Sequence, residues 1–105
     1  MITFFVSRHP GAIEWAQRRG FAVDYFVRHL DASSIASGDV VIGTLPANLA
    51  AAVSTRGAVY LHLSVGLPEE ARDKELSAQD LDRFGAKVER LIVERGACAE
   101  GRSLR

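Results

Sequence analysis

Apolar residues gather in four short runs along the chain, at Ile2–Val6, Phe21–Val27, Asp39–Ile42 and Ala58–Val65. Each run breaks into turn-forming or polar residues, the pattern expected of strands. Helical periodicity fills the gaps. One helix is predicted over Pro10–Arg19 and stopped by Gly20. A second is predicted over Pro46–Thr55, with Leu45, Leu49, Ala52 and Val53 at helical spacing and Gly57 after it. A third is expected to start at Ser77, whose hydroxyl can cap it together with Asp80. Leu81, Phe84, Val88, Leu91 and Ile92 then form one apolar stripe. Strands alternating with helices predict an α/β domain with a mainly parallel sheet and right-handed crossovers.

The patterns also order the strands. Thr3-Phe4-Phe5-Val6 and Val40-Val41-Ile42 are almost continuously apolar, as central strands covered on both faces should be. In Ala58–Val65 one face carries Val59, Leu61, Leu63 and Val65, and the other Tyr60, His62 and Ser64. That describes an edge strand, or one buried on a single side. Phe21–Val27 holds Asp24 in mid-run, which also suits an edge. The order 2-1-3-4 satisfies all four. It creates a topological switch point between strands one and three, and open parallel sheets bind ligands in that crevice.

Composition narrows the picture. The 105 residues make one domain over 1–95, with a small, charged tail over 96–105. Formal net charge is zero, so a phosphorylated ligand must meet a local basic cluster, and long nucleic acid is not expected. The lone Cys98 excludes a disulfide framework and suggests a reducing, cytoplasmic setting. No membrane span or signal sequence is expected, and no cofactor or metal, since no histidine cluster or carboxylate pair has ligand spacing.

Chemistry converges on the carboxyl ends of the strands. Ser7-Arg8-His9-Pro10-Gly11 follows strand one, Arg28-His29-Leu30-Asp31 strand two and Gly43-Thr44-Leu45-Pro46-Ala47-Asn48 strand three. Helix N-terminal N–H groups with Ser7, Thr44 and Asn48 could cradle phosphate oxygens, and Arg8 could add a forked contact. Plainer readings stand beside these. Gly11 and Gly43 can be simple turn residues, Ser7 a helix cap, and Arg8 a solvated surface group. His29 can pair with Asp31, His62 can be a half-exposed edge residue, and Trp15 suits core or dimer interface better than ligand stacking. The charged run over 69–75 reads as a solvated face or a flap that could bring Arg72 or Lys74 to a ligand.

The block Phe5-Val6-Ser7-Arg8-His9-Pro10-Gly11-Ala12-Ile13-Glu14-Trp15-Ala16 resembles a small family of CRISPR-associated accessory proteins of type III systems. The likeness continues through His29-Leu30-Asp31, Val41-Ile42-Gly43-Thr44-Leu45-Pro46, Leu67-Pro68 and Glu75-Leu76-Ser77-Ala78. The resemblance implies a minimal Rossmann-like, CARF-like domain acting as a homodimer. It implies a ring nuclease that linearises cyclic oligoadenylate, chiefly cyclic tetra-adenylate, without a metal. Set on that chemistry, Arg8 is expected to clamp charge, His9 to transfer protons and Ser7 to orient the phosphate. Pro10, Gly11, Gly43, Thr44, Leu45, Asn48 and His29 are the expected ligand-holding positions. A non-catalytic binder of the same messenger, or an interaction module of the CRISPR effector, are the alternatives.

Overall fold

The computed structural model describes residues 1–66 and 76–94. The charged run over 69–75, the tail over 96–105 and Cys98 lie outside the described residues. Five strands form one sheet: β1 (Thr3–Val6), β2 (Tyr25–Val27), β3 (Val40–Gly43), β4 (Val59–Ser64) and β5 (Lys87–Leu91). Their order is β2-β1-β3-β4-β5, with β5 antiparallel and every other neighbour parallel. The helices are α1 (Pro10–Arg18), α2 (Ala47–Thr55) and α3 (Ala78–Arg83), and a short 3-10 turn spans Ala32–Ser34.

The expected order of the first four strands holds, and so does the switch point. Helix α1 packs with α3 on one face, where Trp15, Ala16, Ala78 and Leu81 bury Phe5, Ile42 and Leu63. Helix α2 covers the other face, where Ala50 and Val53 meet Val41 and Tyr60. The chain therefore leaves β1 and β3 toward opposite sides. Two aspartates align the start of β1 from either flank. Asp24 accepts the Thr3 N–H at 2.8 Å, and buried Asp39 accepts the Ile2 N–H at 3.0 Å. Asp24 thus precedes β2 rather than interrupting it, and β2 lies at the edge as its polarity suggested.

The third helix differs from expectation. Its Ser77/Asp80 capping box forms as predicted, but it ends at Arg83. Gly85 turns the chain with a φ of +74°, a left-handed conformation natural to glycine. The chain then runs back as β5, so Val88 and Leu91 belong to a strand. The apolar stripe satisfies helical spacing only across that glycine. Pairing with β5 satisfies the outer N–H and C=O groups of β4, which would otherwise be a bare edge. β4 is accordingly an interior strand, and its supposed outer face holds Tyr60 at 2% exposure.

Candidate functional site

A cavity of about 360 Å³ opens at the carboxyl ends of β1, β2 and β3. The β1–α1 turn contributes Ser7, Arg8 and His9, and the segment after β2 contributes Arg28 and His29. Thr44, Leu45 and Pro46 form the opposite wall, over a floor that includes Val6, Leu49 and Leu63. A slightly larger depression, about 420 Å³, lies near the end of α2 beside Ile92 and Glu94. Among the described residues it carries one carboxylate and no cation, so the switch-point cavity is the better anion site.

The electrostatics are one-sided. Among the described residues two guanidiniums and two imidazoles line the cavity, and no carboxylate does. Among the described residues neither Arg8 nor Arg28 has an ion-pair partner, whereas Arg18, Arg19, Arg83 and Lys87 each have one. Asp31, the nearest acid in the chain after β2, is engaged locally. It accepts from the Ser33 N–H at 3.0 Å and the Ser33 hydroxyl at 2.6 Å, and these bonds hold its carboxyl below the ordinary range. It caps the 3-10 turn instead of pairing with His29. A chain of zero net charge thereby concentrates positive charge where its strands end.

The β1–α1 wall leaves its polar groups available. The Ser7 N–H donates to the Val27 carbonyl at 2.9 Å, which ties the turn to β2. The Ser7 hydroxyl accepts the His9 N–H at 3.1 Å and keeps its own proton free to donate. Ser7 therefore closes the turn, and His9 occupies the N-cap of α1 without using its ring to cap. Pro10 fills the first helical position, where no donor is needed.

The β3–α2 wall is already bonded. The Thr44 hydroxyl donates to the Leu63 carbonyl at 2.6 Å, and the Leu45 N–H donates to the Tyr60 hydroxyl at 3.0 Å. That hydroxyl lies 3.2 Å from the Gly43 carbonyl and 2.7 Å from the His62 Nδ1. Burial pushes the Tyr60 phenol above its ordinary value, with the Leu45 N–H bond opposing in part, so the group stays a neutral hydroxyl.

Residues 4–94 match the family model described as "Putative CRISPR-associated protein (Cas_VVA1548)". The chain belongs to the Cas_VVA1548 family. Searches of curated proteins and of solved structures find no match. In this Cas_VVA1548 chain, no helix among the described residues is long and apolar enough to cross a membrane.

Of the positions singled out in the sequence, this Cas_VVA1548 fold brings Ser7, Arg8, His9, His29, Thr44 and Leu45 to one cavity. Pro10, Gly11, Gly43 and Asn48 do not line it. Gly11 is buried beneath the chain leading to α3, where a methyl group would overlap the Leu76 carbonyl oxygen. Gly43 allows close strand packing, since a Cβ there would stand 2.7 Å from the Val6 carbonyl oxygen. Both glycines admit protein backbone rather than a ligand. Asn48 is exposed on α2. Position after strand two puts Arg28 on the rim, and the cavity brings it together with Arg8. Nothing in the sequence points to a role for Tyr60, because its strand has the pattern of an edge.

Proposed function

We propose that this protein is a ring nuclease that binds cyclic oligoadenylate, with cyclic tetra-adenylate as its main substrate, and linearises it without a metal. The observation that carries the reading is the cavity itself, in which, among the described residues, Arg8 and Arg28 have no ion-pair partner and stand beside His9 and His29 with no carboxylate. Such a site favours a phosphodiester over a cation or a neutral sugar. Membership of a CRISPR-associated family supports a signalling nucleotide as the source of that phosphate.

In the proposed reaction a ribose 2′-oxygen forms a bond to the adjacent phosphorus. The bond from phosphorus to the 5′-oxygen breaks, leaving a 2′,3′-cyclic phosphate and a free 5′-hydroxyl. One proton leaves the 2′-oxygen and one reaches the 5′-oxygen, and His9 is the group suited to move them. Arg8 neutralises charge gathering on the phosphoryl oxygens. The Ser7 proton, left free by its turn, orients one of those oxygens. Arg28 serves as the second clamp. A ring with four phosphodiesters asks for more cations than one cavity offers. A two-fold homodimer that brings two switch-point rims together doubles the set and matches the ring's symmetry.

The test is incubation with cyclic tetra-adenylate in EDTA, followed by chromatography. Linear product ending in 2′,3′-cyclic phosphate is expected. Unchanged ring retained on the protein would make it a binder that sequesters the messenger, and unchanged ring left free in solution would reject the site.

A further inference from the structure

Three groups from two segments meet at the Tyr60 hydroxyl oxygen. Tyr60 stands on β4 with its ring against α2, and its hydroxyl reaches across the sheet to the β3–α2 turn. His62 follows two residues on, on the same face, in register beside Gly43. Its ring lies edge-on to the Tyr60 ring, with centroids 5.8 Å apart. The hydroxyl has one proton to give; the Gly43 carbonyl is one acceptor, and the His62 Nδ1 is another when the imidazole carries its proton on Nε2. The His62 Nδ1 at 2.7 Å is the closer, and the Gly43 carbonyl at 3.2 Å is the farther.

Direction matters because the same oxygen also accepts the Leu45 N–H at 3.0 Å. A phenolic oxygen accepts along directions fixed by where its own O–H points. With the proton on the line to His62, a lone pair is left for Leu45. Without the imidazole, the hydroxyl turns to the Gly43 carbonyl and its lone pairs turn with it.

We propose that Tyr60 and His62 are positioning residues of the switch-point site: the Tyr60 hydroxyl holds the Leu45 N–H, and His62 sets the direction of that hydroxyl. Neither residue lines the cavity, and both act through the wall that Thr44 and Leu45 present to it. The inference rests on the reading that this wall meets a cyclic oligoadenylate. It adds a rigidly held turn opposite the free Arg8–His9 turn.

The test uses Tyr60→Phe, His62→Ala and His62→Asn, with the folded state checked by circular dichroism. Asn is chosen because its Oδ1 can stand where Nδ1 stood. Amide NMR without ligand gives the first readout. The Leu45 N–H resonance is expected to move in Tyr60→Phe and His62→Ala and to stay in place in His62→Asn. Affinity for cyclic tetra-adenylate gives the second. Roughly three- to tenfold weakening is expected for the first two variants, the worth of one hydrogen bond, with rescue by Asn. Adding His62→Ala to Tyr60→Phe should weaken binding no further, because His62 acts through the hydroxyl. A Leu45 resonance that ignores His62→Ala overturns the inference whatever the protein binds. Failure of the natural protein to bind cyclic tetra-adenylate removes the ligand reading instead, and the NMR readout then decides the positioning alone. If His62→Ala folds normally and its loss is not rescued by Asn, the role given to His62 is wrong.

Discussion

The two turns that flank the switch point are built on opposite plans. After β1, and among the described residues, the Arg8 guanidinium has no ion-pair partner, the His9 ring caps nothing, and the Ser7 hydroxyl keeps its proton. After β3, the Thr44 hydroxyl and the Leu45 N–H are both spent on the protein's own β4. One turn offers chemistry and the other offers shape. A helix N-terminus beside a strand end is therefore not by itself a cradle for phosphate. What matters is which donors remain after the fold has used its share.

Arg8→Ala should produce the largest change on the first side. Cleavage of cyclic tetra-adenylate is expected to fall by about 100-fold, the scale of losing one transition-state charge contact. The melting temperature should hardly move, because no ion pair among the described residues is lost. Gly11→Ala should act purely on the fold. Its new methyl meets the Leu76 carbonyl and should cost about 1–3 kcal/mol, the usual range for overpacking, read by denaturant unfolding. Thr44→Val is the counterpart to Arg8→Ala on the bonded side. It removes the bond to the Leu63 carbonyl and should cost about 1 kcal/mol of stability. If Arg8→Ala melts the protein, or Thr44→Val leaves unfolding untouched, the division between the turns fails.

Acid should give the most gradual effect. Asp31, Asp39, Asp80 and Asp82 all have carboxyls held below the ordinary range by hydrogen bonds, from Ser33, from the Ala36 and Ile2 N–H groups, from Ser77, and from Arg19 with Trp15. Unfolding returns each toward its ordinary value of 3.8. The stabilisation is thus complete above about pH 4 and fades as pH drops through the native values. Melting temperature measured against pH should fall on the acid side, and Asp39→Asn should flatten that fall. None of these four aspartates lines the cavity, so a steep change in stability between about pH 5 and 8 would mean that other groups control the fold.

Much of the architecture was legible because it rests on burial, and burial leaves a pattern in sequence. The continuous apolar runs of β1 and β3 announced central strands. The fifth strand was not legible, since Leu81, Phe84, Val88, Leu91 and Ile92 fit a helix if Gly85 is passed over. The decisive cues were Gly85 itself and the need of β4 for a partner, and the second exists only in the assembled sheet. At the site, position after a strand found Ser7, Arg8, His9, His29, Thr44 and Leu45. It could not reveal that Gly11 and Gly43 serve backbone packing. Nor could it reveal that Thr44 donates inward, because a hydroxyl's partner is fixed by tertiary geometry.

Trp15 is the only tryptophan in the chain, and it sits in the contact between α1 and α3. Its indole N–H donates to Asp82 at 2.9 Å, while Arg19 stacks over the ring and pairs with the same carboxylate. Helix α1 begins directly after Arg8 and His9, so the indole rides on the element that carries the reactive turn. The molecule thereby contains its own optical gauge. Light emitted by a single buried indole will register any shift of that helix against its neighbour, with no label attached.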